Sequence, residues 1–314
     1  MSEGWTPGPI RRIAMIGAGT MGMQIASLAA AAGYETRLFD AVPAAVDRAL
    51  KRIDDELLAE IVGSGMIPSA TDVRACRERL TAASTLTAAV DGADLVIEAV
   101  KEDLDVKRGV FAELSHLAPQ AILATNSSSL PSRPLAEVVT NPERLLNMHF
   151  FAPVWVRTMV ELMTCGQTND ATFDAARGVG EAMGLLVAQV QGESKGFIIN
   201  RIWRAIKRES LRVVDEGHAS PEDIDRLFML FFEAKRAPFS TMDLVGLDVV
   251  ADIEATYHAV ATDPHDRPIS TLIKKVEKGE LGEKSGTGFY SHPNPSYADP
   301  DFLRGGSAKK KENA

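Results

Sequence analysis

Residues 12–40 read Arg12-Ile13-Ala14-Met15-Ile16, then Gly17-Ala18-Gly19-Thr20-Met21-Gly22, then an apolar run to Gly33, then Tyr34-Glu35-Thr36-Arg37-Leu38-Phe39-Asp40. The first block is a short apolar run of strand length. Residues 21–32 are mostly Ala, Leu, Met, Ile, Gln and Ser, a composition that favours helix. Gly33 fits the left-handed cap of that helix, and 34–39 read as a second strand ending on Asp40. A lone G-x-G-x-x-G occurs in many turns. One that follows a strand, opens a helix and has an acid at the end of the next strand is the fingerprint of a dinucleotide-binding βαβ unit. Gly17 permits the tight turn, Gly19 lets the backbone approach a pyrophosphate, and Gly22 lets the helix pack close to the sheet. Free amides at the helix start, around Thr20 and Met21, hold the phosphates. Asp40 is expected to accept hydrogen bonds from ribose hydroxyls and to repel a 2′-phosphate. Ala41-Val42-Pro43 offers no Arg to receive one. The fingerprint therefore reads as NAD rather than NADP, and as a nicotinamide rather than a flavin. The bland alternative is a doubly wound sheet with a glycine-rich turn and no ligand.

The chain has 314 residues, of which 45% are apolar, which suits two domains with packed cores. A net charge of −9 argues against nucleic acid as a main partner. The dense basic run Lys309-Lys310-Lys311 lies in a polar tail and reads as a solvated end. Two distant cysteines, Cys76 and Cys165, show no metal-ligand spacing and point to a reducing compartment. No apolar run reaches membrane-span length, and the first residues lack the pattern of a secretory signal. The expectation is a soluble cytoplasmic protein.

Residues 44–63 and 69–79 read as a helical arm inserted after the second strand, with Ser69 or Thr71 capping its second helix. This arm is either a kinked crossover or a contact for a large substrate. Residues 94–100 read as a buried strand with acids at its ends, followed by Glu102 and, in the next helix, Lys107. In an open parallel sheet the ligand lies at the carboxyl ends of the strands, so Ala99, Val100 and Glu102 point at the cofactor. Residues 121–125 are the next strand and run into Asn126-Ser127-Ser128-Ser129. Those four either cap a short helix or hydrogen-bond a ligand. His149 sits among Met148, Phe150 and Phe151, company that also fits a core histidine. Residues 158–163 are a strand carrying Glu161, and the 152–157 connection allows it to lie beside His149. A buried Glu and a buried His offset one another's cost. Such a pair is also what a general base needs, because the carboxylate fixes the tautomer and stabilises the imidazolium. A last strand spans 185–190, and 191–196 read as the domain boundary. Beyond it the pattern is helical: 197–216, a helix opened by Ser220-Pro221, one helix across 242–258 with Ser240 as its cap, and 269–279. Residues 1–192 and 193–303 are the expected domains, with disorder from 304. The fold expected is α/β: an N-terminal Rossmann-type doubly wound sheet with an all-helical C-terminal domain.

Taken together, residues 17–22, 94–107, 126–130, 148–161, 196–201 and 285–290 resemble the L-3-hydroxyacyl-CoA dehydrogenase family, in the family's order and over nearly the whole chain. The resemblance implies an NAD-binding domain, a helical domain that dimerises, and an acyl-CoA substrate in the cleft between. It implies reversible hydride transfer between NAD and the 3-hydroxyl carbon. Carried over, His149 is the base that takes the hydroxyl proton and Glu161 orients it. Ser128 bonds the substrate oxygen, Asn200 holds the substrate, Glu102 and Lys107 contact NAD, and the arm helps hold CoA. The family's His-Phe-Phe-Asn-Pro-Val-Pro stands here as His149-Phe150-Phe151-Ala152-Pro153-Val154-Trp155. Its Pro-Gly-Phe is Lys195-Gly196-Phe197, and its Gly-Pro is Ala237-Pro238. These departures bear on acyl chain length and carrier. They leave two alternatives: a dehydrogenase of a free 3-hydroxy acid (gulonate- or carnitine-like) or of an acyl-carrier-protein thioester, and a catalytically silent NAD-binding protein.

Overall fold

The structure, a computed structural model, describes residues 7–67, 72–259, 261 and 269–304. Contacts divide the chain into two compact units between Asn200 and Arg201.

The first unit is built on one eight-stranded sheet. Its strands are β1 (Arg12–Ile16), β2 (Glu35–Phe39), β3 (Leu80–Ala82), β4 (Leu95–Glu98), β5 (Ile122–Thr125), β6 (Leu145–Phe150), β7 (Met159–Thr164) and β8 (Leu186–Val190), in the order β3-β2-β1-β4-β5-β6-β7-β8. All neighbours pair in parallel except β6 and β7. The central strands β1, β4 and β5 are Val/Ile/Leu/Ala-rich because helices cover both faces and leave little room for polar side chains. Helix α1 (Thr20–Ala31) is buried from Gly22 to Ala31, and its small residues let it lie between the sheet and the arm.

The arm is α2 (Pro43–Arg52), a π-turn at Ile53–Leu57, α3 (Leu58–Gly63) and α4 (Val73–Glu78). Ile53, Leu57, Leu58 and Ile61 join the core on α1, while Asp54, Asp55, Glu56 and Glu60 face outward. Ser69 and Thr71 lie outside the described residues. Helix α4 begins at Val73, where the Asp72 side chain caps it by accepting from the Arg74 amide at 2.9 Å. On the sheet's flanks lie α5 (Leu86–Val90), α6 (Leu104–Leu117), α7 (Arg133–Ala136) and α8 (Asp170–Ala182).

The second unit is helical: the body of α9 (Ile199–Asp215), then α10 (Pro221–Phe232), α11 (Pro238–Val245), α12 (Leu247–His258) and α13 (Ser270–Glu277). Ser220 caps α10 with Pro221 at its first position, as read from the sequence. The single helix expected across 242–258 is instead two. Gly246 at φ 99° ends α11 and starts α12, a backbone angle no helix accommodates. Ser240 is not the cap of that helix. It is the third residue of α11, and its hydroxyl reaches back to the Ala237 amide at 3.0 Å. Leu211, Phe239, Met242, Leu247, Val250, Leu272 and Tyr290 form the core. Buried Asp225 accepts from the Phe239 and Ser240 amides and the Tyr290 hydroxyl, which pins the 285–290 segment to α10. Burial, the larger effect, holds the Asp225 pKa above the ordinary carboxylate range against those bonds. Arg304 closes a short turn, Phe302–Arg304, and bonds Asp301 at 3.0 Å. The tail from 305, with its three lysines, lies outside the described residues.

Candidate active site

The glycines of the first turn separate by role. Gly17 has φ 104°, and a Cβ there would lie 2.5 Å from the Ala99 carbonyl oxygen. A Cβ on Gly22 would lie 1.8 Å from the carbonyl oxygen of Gly17 itself, so Gly22 makes room for the turn's own backbone. A Cβ on Gly19 would meet no protein atom within 4 Å. The space beside Gly19 is thus open at the N-terminus of α1, where the unpaired amides point. Asp40 closes the turn from the side. Its Oδ2 accepts from the Ala18 amide and its Oδ1 from the Val42 amide, each at 2.8 Å. It therefore shapes the phosphate loop, a duty its position alone did not reveal. Each oxygen retains a lone pair for a hydroxyl donor.

At the carboxyl ends of β4 and β5 a buried network sets the next edge. Glu98 and Lys107 are both fully buried, with Lys107 Nζ 2.7 Å from Glu98 Oε1. Glu98 also accepts from the Val100 amide at 2.6 Å and the Thr125 hydroxyl at 2.7 Å. Lys107 lies 3.4 Å from Glu102 Oε2. Two carboxylates, one ammonium and these donors make the burial tolerable. Glu102 Oε1 gathers the serine turn, accepting from the hydroxyls of Ser127 and Ser129 and the amides of Ser128 and Ser129 at 2.6–3.1 Å. Burial pushes the Glu102 pKa up, but the Ser127 hydrogen bond and the Lys107 ammonium outweigh it and hold the carboxyl below its ordinary value. Lys107, read from sequence as a cofactor contact, is an internal anchor for Glu98 and Glu102. Asn126 is also mostly buried, and its Oδ1 accepts from the Phe150 amide at 2.9 Å, fastening β6 to the end of β5.

His149 and Glu161 are opposed residues of the antiparallel β6–β7 pair. His149 Nδ1 lies 3.0 Å from Glu161 Oε2, and both residues are buried. This carboxylate assigns the proton to Nδ1 and leaves Nε2 as the acceptor. Glu161 Oε1 accepts from the amides of Ile198 and Ile199 at 3.0 and 2.9 Å, the free donors that open α9. These bonds tie the first turn of α9 to the sheet, and the first compact unit runs to Asn200. Asn200 Nδ2 donates to the Ser128 carbonyl at 3.3 Å, joining the last of the four catalytic candidates to the serine turn. Gln24 of α1 accepts from the Val154 amide at 3.1 Å and holds the β6–β7 connection, where Trp155 packs on the core. The Ala152 carbonyl accepts from the guanidinium of Arg157.

Sequence reasoning missed Glu98 and Gln24. An acid closing the wholly apolar run Leu95-Val96-Ile97 was a usable signal for Glu98. Gln24 carried none, because its bond to the Val154 amide depends on tertiary placement.

Family models for 3-hydroxyacyl-CoA dehydrogenase match the NAD binding domain at residues 12–193 and the C-terminal domain at 196–292. The chain belongs to the 3-hydroxyacyl-CoA dehydrogenase family. It is 36% identical to a 3-hydroxybutyryl-CoA dehydrogenase of Mycobacterium tuberculosis over 292 residues, covering 90% of this chain and 99% of that one. Its structure resembles that of the (S)-3-hydroxybutyryl-CoA dehydrogenase from Ralstonia eutropha, with a TM-score of 0.82 and 31% identity, covering 91% of this chain and all of that one. A diketoreductase acting on dicarbonyl compounds is similar at a TM-score of 0.81 and 30% identity, with the same coverage. As a 3-hydroxyacyl-CoA dehydrogenase family member the chain is an NAD-dependent oxidoreductase acting on CH–OH groups. The open space at Gly19 and the two-point grip of Asp40 fit that cofactor.

Proposed function

We propose that this enzyme interconverts an L-3-hydroxyacyl-CoA and the 3-oxoacyl-CoA, with His149 and Glu161 as its catalytic dyad. The observation that carries the reading is the cross-strand pair itself: a buried imidazole whose Nδ1 is held by a carboxylate. In the oxidative direction Nε2 of His149 takes the proton of the 3-hydroxyl, and Glu161 stabilises the imidazolium that forms. The Ser128 hydroxyl and the Asn200 amide bond the substrate oxygen as its charge changes. Bound NAD supplies the hydride acceptor. Glu102 keeps Ser128 in place, and Asp40, Gly17 and Gly22 keep the phosphate loop in shape.

Replacing His149 with Gln tests this reading. The variant is expected to bind NADH and keep its circular dichroism while losing turnover. An equally active variant would remove His149 as the base.

One observation favours a second reading with the same dyad and a different carrier. The chain is nearly as similar to a diketoreductase acting on dicarbonyl compounds as to the 3-hydroxybutyryl-CoA dehydrogenase of Ralstonia eutropha, and the arm itself mixes Asp54, Asp55, Glu56 and Glu60 with exposed Arg48, Lys51 and Arg52. A free 3-hydroxy acid or an acyl-carrier-protein thioester then becomes the substrate, and the discriminator is whether free CoA competes with it. A catalytically silent NAD-binding role has no feature in its favour beyond Ala152 and Lys195.

The same reading makes the protein a homodimer through its helical unit. Leu227, Leu230, Phe231 and Phe232 of α10 are between 53% and 82% exposed, a contiguous apolar face of the kind a second copy covers. It also assigns the protein to the cytoplasm. Both cysteines are free and buried, and no helix among the described residues is long and apolar enough to cross a membrane.

A further inference from the structure

Phe197 has a backbone that phenylalanine rarely adopts. Its φ is 55°, in the left-handed region, and it follows Gly196 at φ 80°. The turn is held by Ser194, whose carbonyl accepts from the Phe197 amide at 3.0 Å and whose hydroxyl donates to the Phe197 carbonyl at 3.0 Å. Glycine is the residue that takes such a position without strain, so a buried aromatic here has another reason. The ring supplies it. It is 1% exposed and belongs to neither core of the sheet, clustering instead with Met163 and Val190. Its centroid lies 4.8 Å from the His149 ring, tilted 39°, while Phe151 lies 4.2 Å from that ring, tilted 53°. Tilted pairs at such distances are attractive, and the faces of aromatic rings favour a cation beside them. The next two amides, of Ile198 and Ile199, are the donors on Glu161.

We propose that Phe197 is a positioning residue for the dyad: its ring and that of Phe151 clamp the His149 imidazole on Glu161, and its left-handed turn sets both that ring and the α9 amides against the same pair. Core filling explains the burial but not the backbone angle, since an aliphatic residue elsewhere fills space without strain. The inference rests on His149 being the base.

The test compares Phe197→Leu and Phe197→Tyr with the native enzyme and with His149→Gln. Leu keeps an apolar filling and removes the ring faces. It is expected to lower kcat by about ten- to hundredfold, since small misplacements of a catalytic group cost that much, with KM for NADH unchanged. Tyr, which keeps the ring, is expected to restore most of the loss. The imidazole nitrogen resonances of His149, read by NMR in the apo protein, are expected to move in Leu and return in Tyr. Native kcat and native imidazole resonances in a folded Leu variant overturn the proposal. If Leu fails to fold, Phe197→Met takes its place: a folded Met variant with native kcat and native His149 resonances overturns the proposal, and a lowered kcat with displaced resonances supports it. An active His149→Gln would instead remove the base assignment on which the inference rests, an outcome separate from a null result at Phe197.

Discussion

His149 and Glu161 face each other across the antiparallel β6–β7 pair, with Nδ1 3.0 Å from Oε2. Opposed residues on one face lie within about 5.5 Å at their Cβ atoms, so the strand register fixes the dyad before any rotamer is chosen. Slipping β7 by one residue would send Glu161 to the other face. Glu161 also receives two amides from α9, so one carboxylate orients the base and seats the start of that helix.

Glu161→Gln removes the charge and keeps the shape. It is expected to lower kcat by about 10²–10⁴-fold with KM for NADH little changed. Steady-state kinetics with varied NADH checks this. A loss confined to KM would contradict it.

The glycines give a contrast within one loop. Gly19→Ala meets open space and should leave the thermal midpoint unchanged while weakening NADH binding by roughly tenfold or more. Gly22→Ala would drive a methyl into the Gly17 carbonyl and should destabilise the fold itself. NADH fluorescence titration and thermal melts separate the two. A Gly19→Ala variant with native affinity would mean that nothing approaches the loop there.

Most of this site was legible in the sequence because its signals are local. The 17–22 turn, Asp40, the polar run after β5 and the His and Glu on consecutive strands each sit where a strand ends or where two strands pair. What stayed hidden depends on contacts made at a distance. Lys107 reads as a cofactor contact, yet it lies beneath the surface between Glu98 and Glu102, and the bonds of Glu102 to the serine turn span about 25 residues of sequence. Nothing near Phe197 announces a left-handed phenylalanine. Gly246 was read inside a helix because glycine is tolerated there, and only its φ of 99° shows it as a break.

Acid should loosen the serine turn. The Glu102 pKa is depressed in the folded protein. A depressed carboxylate contributes stability that is complete above its unfolded value and lost as pH falls through its folded value. Exchange protection of the Ser128 and Ser129 amides, corrected for intrinsic rates, should therefore persist at pH 6 and fall below about pH 4. Glu102→Gln should show reduced protection already at pH 6. Equal protection in both proteins would contradict the role given to Glu102.

In the helical unit, Glu254 is buried with Lys207 at 3.1 Å and Arg204 at 3.0 Å. Burial lowers the Lys207 pKa despite that partner. Glu254→Gln takes the carboxylate from the buried Lys207 ammonium and should cost about 3–5 kcal/mol. Urea unfolding measures it, and a change below about 1 kcal/mol would show that solvent reaches these groups.

The most direct test of the account is to mix the purified protein with NADH and acetoacetyl-CoA and follow the reduced cofactor's absorbance, with acetoacetate alone in parallel. Rapid oxidation with the thioester, absent with acetoacetate and abolished by His149→Gln, is the predicted result. No oxidation of NADH by either substrate, in protein shown separately to bind NADH, would contradict the acyl-CoA reading.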